Sequence, residues 1–485
     1  MSVKIGFLSL PTQNWLSLKR TRKFYIKALS EHFKVIEIRS EQDFLEHGTR
    51  CRLWINFFGD LAWKFKNRIQ APVLFCLHGG GVLDYRLLME RARELNSHDG
   101  FIVNCRGDLK ILKALFKSPP YRHLLPLPVS EELGNEWSKP QNKKLLSIEE
   151  DCIVMGFFAR LLPQKNLHKA IILCHALRIK GIKIKLIIVG DYWVDYPILN
   201  WQQSKTSYRD YINDLIKDYA LRDRILHFQS NLTDSELSVA YGALDFLYHP
   251  THSLGENFGY APVEAMKCGT PTLGNAYGGL KDSIISGETG YLIPTWTTDS
   301  GIRSDDNAAF TWTMDFCASP QLRETFSKQC KIRAETHYSN DAFARQLRKI
   351  VGSMLGITGD KEPIEASIKP FKEYSHDLLP DATPSWSYYR GVVDLYCSHS
   401  LADFKLSETC KLRAFSEFEK RDTQVKAEDP TWPLKFTLSK EEYLLLQNCS
   451  EFITLDALSH IHDGPLDKHI IWNLLHSGVL IHSQK

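Results

Sequence analysis

Residues 254–293 read LGENFGYAPVEAMKCGTPTLGNAYGGLKDSIISGETGYLI, and the rest of the chain is organised about them. The segment opens with a glycine-bearing loop, Gly255-Glu256-Asn257-Phe258-Gly259. A short helix is expected next, with Pro262 in its first turn, where a missing N–H costs nothing, and Gly269 at its end. Glu256 lies in the loop and Glu264, eight positions on, is expected in the first helical turn. A helix start offers unpaired N–H groups and a positive dipole end, which together suit a phosphate. One carboxylate on each side of such a phosphate would hold hydroxyls, as a sugar–diphosphate–nucleoside requires. On spacing alone a plainer reading stands beside this one: glutamate near a helix start also satisfies the dipole.

The same text resembles the E-x7-E signature of GT-B glycosyltransferases of the family-4 type (glycosyl transferases group 1). The resemblance rests on Glu256 and Glu264 and extends to Glu264-Ala265-Met266, Cys268-Gly269-Thr270-Pro271, Gly278-Gly279 and Gly287-Glu288-Thr289-Gly290-Tyr291-Leu292. It implies an α/β fold of two Rossmann-like lobes with parallel sheets, the acceptor mainly on the first and the nucleotide sugar on the second. It also implies that Glu264 holds the ribose hydroxyls and Glu256 those of the sugar. Asn257, Phe258, Gly259 and Val263 complete the donor-binding set.

Working outward, the first third alternates apolar runs with helical patterns. Val3–Leu10, Val35–Ile38, Leu53–Phe57, Val73–Leu77 and Phe101–Asn104 read as strands, and Trp15–Phe33 as a helix. That order means βαβ units on a parallel sheet, with ligands outside the carboxyl ends of the strands. His78 stands at such an end and is followed by Gly79-Gly80-Gly81. In the resembling family a histidine there lies beside the transferred sugar, so His78 joins the catalytic set; three successive glycines are not the usual continuation. The first helix carries Lys19, Arg20, Arg22, Lys23 and Lys27 without an acid among them. This is either a solvated face or a contact for an anionic acceptor or membrane surface. The family's usual Gly-Gly loop before this helix is replaced by Pro11-Thr12-Gln13-Asn14.

Leu127–Lys144 is polar and reads as the linker between the lobes. After the strand Ile153–Phe158 come Arg160 and Lys165, which match in order the family's arginine and lysine on the donor diphosphate. Two such cations neutralise a departing diphosphate. Tyr192–Ser207 is aromatic-rich and reads as an insertion, either a lid or a packed loop. Thr233 with Glu236 forms an expected capping box. Tyr338–Val351 is expected to cross back to the first lobe.

The resemblance ends near residue 355. The expected domains are 1–130, the acceptor-side lobe; 146–355, the donor-side lobe; 356–430, a linker and helical segment; and 431–485, a module with three helices and a terminal β element that resembles a winged helix. Trp386–Phe418 is expected to form one or two helices. The module is acidic, which disfavours nucleic acid and favours docking of a protein or peptide, or self-association.

With 60 Lys and Arg against 57 Asp and Glu, the net charge of +3 demands no nucleic-acid partner. The eleven cysteines are odd in number and contain no C-x-x-C pair, which argues against a zinc ribbon or a disulfide framework and for a reducing compartment. No secretory leader and no membrane span is read, so the expected place is the cytoplasm. No Asp-x-Asp occurs, so neither a metal nor any other cofactor is expected.

The expected activity is retaining, metal-independent transfer of a sugar from a nucleotide-diphosphate sugar to an acceptor. A peptide or protein, or an anionic lipid-linked glycan, is the acceptor class considered, with peripheral membrane contact and oligomeric state left open. Two alternatives stand beside it: a GT-B scaffold kept as a binding module through its C-terminal domain, and a phosphorylase-type reaction in the same fold.

Overall fold

Buried on both faces, a parallel strand reads as an unbroken apolar run, and the two sheets of the protein are built from such runs. The computed structural model describes residues 2–9, 16–47, 50–116, 121–134, 136–192, 208–299, 301–364, 386–402, 404–414, 419–421, 424–427, 432, 434–462 and 466–483. The first lobe holds β1 (Lys4–Ser9), β2 (Lys34–Ile38), β3 (Leu53–Phe58), β4 (Val73–Cys76), β5 (Gly100–Val103) and β6 (Tyr121–Leu124). They form one parallel sheet in the order β2-β1-β3-β4-β5-β6. Strand β6 has no counterpart in the sequence reading. Its Tyr121-Arg122-His123-Leu124 is polar because it closes the edge of the sheet, where no second strand buries it.

The second lobe repeats the plan with β7 (Ile153–Phe158), β8 (Ile184–Val189), β9 (Ile225–Phe228), β10 (Phe246–His249), β11 (Thr272–Asn275) and β12 (Gly290–Ile293). Their order is β12-β11-β10-β7-β8-β9, again all parallel. Between the lobes, the last third of the segment read as a linker is helical. Lys139–Leu145 is a helix whose start is closed by a capping box of Ser138 and Gln141. The expected box of Thr233 and Glu236 caps the helix Asp234–Ala243. The helix Asn340–Leu355 returns to the first lobe. There the Phe343 ring meets Tyr25 edge-on at 5.1 Å, and Gln346 donates to the carbonyl of Leu124 at 2.6 Å.

Past residue 385, where one or two helices are expected as far as Phe418, the described residues hold one. One helix, Trp386–Asp394, is followed by the strand β15 (Lys411–Ala414), which is antiparallel to β19 (Ile453–Thr454) and β20 (Leu480–His482). Around this small sheet pack the helices Lys440–Gln447, Leu455–Ile461 and Lys468–Ser477. A further sheet joins β16 (Glu419–Arg421), β17 (Gln424–Ala427) and β18 (Leu434–Thr437).

The helix Trp386–Asp394 lies against both lobes. Val392, Val393 and Tyr396 are fully buried in the core of the first lobe, beside Tyr85, Leu88 and Ile111. On the other side the Trp386 indole donates to the carbonyl of Thr298 at 2.8 Å, and Thr297 donates to Asp394 at 2.7 Å. Those two threonines belong to β13 (Thr295–Thr298), which makes a hairpin with β14 (Gly301–Ser304). Residues 10–15 and 193–207, which contain the Pro11–Asn14 loop and most of the insertion, and residues 365–385 lie outside the described residues. No helix among the described residues is long and apolar enough to cross a membrane.

Candidate functional site

Parallel strands deliver their carboxyl ends to one edge, and the two sheets turn those edges toward each other. From the second lobe, β7 leads into Arg160 and the helical turn Pro163–Lys165, and β10 leads through His249 and Thr251 into the Glu256 loop. The structure brings Lys165 and Glu256, 91 positions apart, into a buried ion pair. The same carboxylate oxygen of Glu256 accepts from the Thr251 hydroxyl at 3.1 Å and lies 3.7 Å from Nε2 of His249. Burial alone would raise the Glu256 carboxyl, but the Lys165 ammonium and His249 outweigh it and hold the group well below the usual carboxylate range. Burial pulls the Lys165 ammonium down, Glu256 opposes this, and Arg160 is close enough to add to it.

The helix after the loop runs from Tyr260 to Lys267, with Gly259 as its cap at φ +78°. Glu264 therefore stands one turn in, not in the first turn as the sequence suggested, because the helix already begins at Tyr260, directly after the left-handed glycine. Its carboxylate accepts from the Tyr241 hydroxyl at 3.0 Å and lies 3.4 Å from a guanidinium nitrogen of Arg20, which comes from the other lobe. Burial pushes Glu264 up, while Arg20 and Tyr241 pull it down. Arg20 also bonds Asp234, whose second oxygen takes the Ser130 hydroxyl at 2.7 Å. Arg20, half-buried in this network, is thus not part of a solvated basic face.

The remaining donor-set residues divide by what their atoms already do. The Asn257 side chain donates to the carbonyl of Leu77 at 3.0 Å and to Asn104 at 3.3 Å, tying the loop to the first lobe. The Phe258 ring is buried against Tyr260 and Tyr338. The amides of Phe258 and Gly259 are bonded to no acceptor among the described residues. Val263 is fully buried in the apolar core, so its side chain does not face the cleft.

From the first lobe, β4 leads into His78, two residues past its end. Its ring lies 4.7 Å from Phe57 and 5.4 Å from Tyr25, Nδ1 meets Asn104 at 3.1 Å, and Nε2 is buried without a partner. Burial pushes this imidazole down to about 4, against the pull of Asn104, so His78 is neutral near pH 7. Asn104 thus holds both His78 and Asn257. Its signal in the sequence was its place at the end of a strand.

The turn Gly79–Gly81 is held from below by the second surprise, Tyr396. Its hydroxyl bonds Asp108, which also accepts from the amide of Gly81 at 2.6 Å. Gly80 has φ +87°, and a Cβ there would meet the Tyr396 oxygen at 2.7 Å, so glycine is required. Gly278 is as constrained: at φ +50° its Cβ would lie 1.9 Å from the carbonyl oxygen of Glu256. Its amide bonds the carbonyl of Tyr396 at 3.0 Å. No local pattern announces Tyr396, which arrives from 288 residues beyond Asp108.

Comparison with known structures places this architecture. Sucrose-phosphate synthase from Thermosynechococcus elongatus superposes with a TM-score of 0.56 at 19% identity, over 73% of this chain and 100% of that one. HepE from Anabaena, in complex with UDP-glucose, gives 0.53 at 16% identity, over 72% and 99%. At such identities the likeness is one of fold, the two-lobed GT-B arrangement. In sequence, the D-inositol 3-phosphate glycosyltransferase of Mycobacteroides abscessus is 25% identical over 259 residues, 51% of this chain and 54% of the relative. The alpha-1,3/1,6-mannosyltransferase ALG2 of Mus musculus is 26% identical over 174 residues, 36% of this chain and 37% of the relative. The chain spans about half the length of the first of these curated relatives and less of the second. Residues 138–300, which hold Arg160, Lys165, Glu256 and Glu264, match the model of the Glycosyl transferases group 1 family.

Proposed function

We propose that the protein transfers a sugar, with retention of configuration and without a metal, from a nucleotide-diphosphate sugar on the second lobe to a hydroxyl of an acceptor on the first. The observation that carries this reading is the buried Lys165–Glu256 pair beyond the neighbouring carboxyl ends of β7 and β10. Beside it stand Arg160, the unbonded amides of Phe258 and Gly259, and the neutral His78 across the cleft.

In the reaction the bond from the sugar's anomeric carbon to the diphosphate oxygen breaks, and a bond from the same carbon to the acceptor oxygen forms on the same face. The acceptor's proton passes to the departing phosphate oxygen, and the products are a nucleoside diphosphate and a glycoside. Arg160, Lys165 and the helix start at Tyr260 take up the charge that grows on the diphosphate. Glu256 holds sugar hydroxyls, Glu264 the ribose, and His78, being neutral, offers a hydrogen bond and not a charge. The small sheet and three helices beyond residue 404 serve as a winged-helix-like docking module.

A thermal-shift panel of UDP-, GDP- and ADP-sugars tests the donor. A ligand at one hundred times its dissociation constant stabilises by about 2.7 kcal/mol. Release of nucleoside diphosphate, and not of sugar phosphate, separates transfer from phosphorolysis. No shift with any of the three classes would refute the reading.

A further inference from the structure

The acceptor side of the cleft carries a carboxyl group that the transfer step above does not use, and the inference drawn from it rests on that transferase reading. The Gly79–Gly81 turn faces the Glu256 loop at close range. A Cβ on Gly255 would lie 3.0 Å from the carbonyl oxygen of Gly79, and one on Gly80 would lie 3.1 Å from Cβ of Asn257. The Leu83 side chain closes the same contact, 2.8 Å from such a Cβ on Gly255, so this part of the first lobe packs directly against the loop assigned to the sugar. Over it stands Asp84, from the first turn of the helix Gly81–Arg91: a Cβ on Gly79 would be 3.8 and 3.9 Å from its two carboxylate oxygens.

Asp84 stays partly open to solvent, and among the described residues it has neither a hydrogen-bond donor nor a cation as partner. Burial, and then the charge of Asp108, push it up to about 7. Around it, Asp108 is fully buried and spends one oxygen on the Gly81 amide and the Tyr396 hydroxyl. His78 gives its Nδ1 side to Asn104. A half-buried carboxyl group gains from a donor, and among the described residues no protein group supplies one.

We propose that Asp84, with the half-exposed Gly79 beside it, forms the acceptor subsite, and that this subsite takes an uncharged, hydroxyl-rich acceptor, a sugar or polyol. A hydroxyl supplies the donor that Asp84 lacks, and Gly79, without a side chain, leaves room beside the carboxylate. A phosphate in the same place would meet two carboxyl groups and no cation.

The full chain is assayed with the nucleotide sugar of largest thermal shift, following nucleoside diphosphate release. Glucose and myo-inositol serve as acceptors, with glucose 6-phosphate and myo-inositol 1-phosphate beside them. The uncharged pair should accelerate release over the acceptor-free rate, with KM about tenfold or more below that of the phosphorylated pair. Asp84→Ala should raise KM for the uncharged acceptor about tenfold, the usual weight of one hydrogen bond to a charged group, with kcat within about threefold. Asp84→Asn keeps the shape and should shrink the discrimination against glucose 6-phosphate, a change that a purely structural role would not produce. Preference for the phosphorylated acceptors, indifference to both classes, or a discrimination unchanged in Asp84→Asn would overturn the proposal. Loss of nucleoside diphosphate affinity by calorimetry in Asp84→Ala would also count against it. Absence of nucleotide-sugar binding in the unmodified chain strikes instead at the transferase reading.

Discussion

Replacing Lys165 by methionine keeps the length and most of the volume of the side chain and removes its charge. Lys165 and Glu256 are each about 10% exposed, so the variant leaves a carboxylate buried without its cation. Breaking one partner of a buried pair costs about 3–5 kcal/mol, whereas replacing both by groups of similar shape is often close to neutral. Glu256 would keep its hydrogen bond from Thr251 at 3.1 Å, which places the cost near the lower end, about 3 kcal/mol. In a lobe of this size that corresponds to a fall in Tm of about 6–12 °C. The double variant Lys165→Met/Glu256→Gln should recover most of this, to within about 1 kcal/mol of the unmodified chain.

The effect has a sign in pH. Glu256 is held below its unfolded value, so the pair's contribution is present above about pH 4.3 and is lost as pH falls through the folded value. The gap between the unmodified chain and Lys165→Met should therefore be full at pH 7.5 and shrink below about pH 4. Calorimetric melting of the four proteins of the cycle at both pH values measures it. Equal stability of the single and double variants, or a gap independent of pH, would refute the reasoning.

Arg160→Ala should lower turnover roughly 10²–10³-fold by leaving the departing diphosphate uncompensated, read by nucleoside diphosphate release; a change within threefold removes Arg160 from the mechanism. Glu264→Ala should weaken UDP or GDP binding about tenfold in calorimetry, since a ribose contact is made in ground and transition states alike. His78 is held down at about 4, so the unfolded chain binds the extra proton, and its share of stability should be lost as pH falls from about 6.5 to 4. His78→Gln should flatten that part of the stability–pH curve, measured by urea titration. Tyr396→Phe deprives Asp108 of a buried donor and should cost about 1–3 kcal/mol in the same titration, although residue 396 lies outside both sheets.

How much of this was legible in the sequence depended on whether the cause was local. Apolar runs such as Leu53-Trp54-Ile55-Asn56-Phe57 are strands because a parallel sheet covered on both faces admits little else, and that requirement is written in consecutive residues. Glu256, Glu264, Arg160 and Lys165 could be singled out through the resemblance to a family signature, because such a signature sits on consecutive residues of a loop, a helix start and a strand end. What failed locally failed for local reasons too. The helix was read as starting too late because its cap is the left-handed Gly259 and it begins at Tyr260, ahead of the expected start near Pro262, and β6 was missed because an edge strand need not be apolar.

The partners of the charges belong to another class. Arg20 looked like one of five cations on a helix face, yet Asp234 and Glu264 lie 214 and 244 positions away. Tyr396 reaches Asp108 across 288 positions, and the unpartnered state of Asp84 becomes visible only when the cleft around it is closed. Composition and periodicity record what a residue needs from its own backbone. Which group it meets across a cleft is decided by how the two lobes and the helix Trp386–Asp394 pack, and only the tertiary structure holds that.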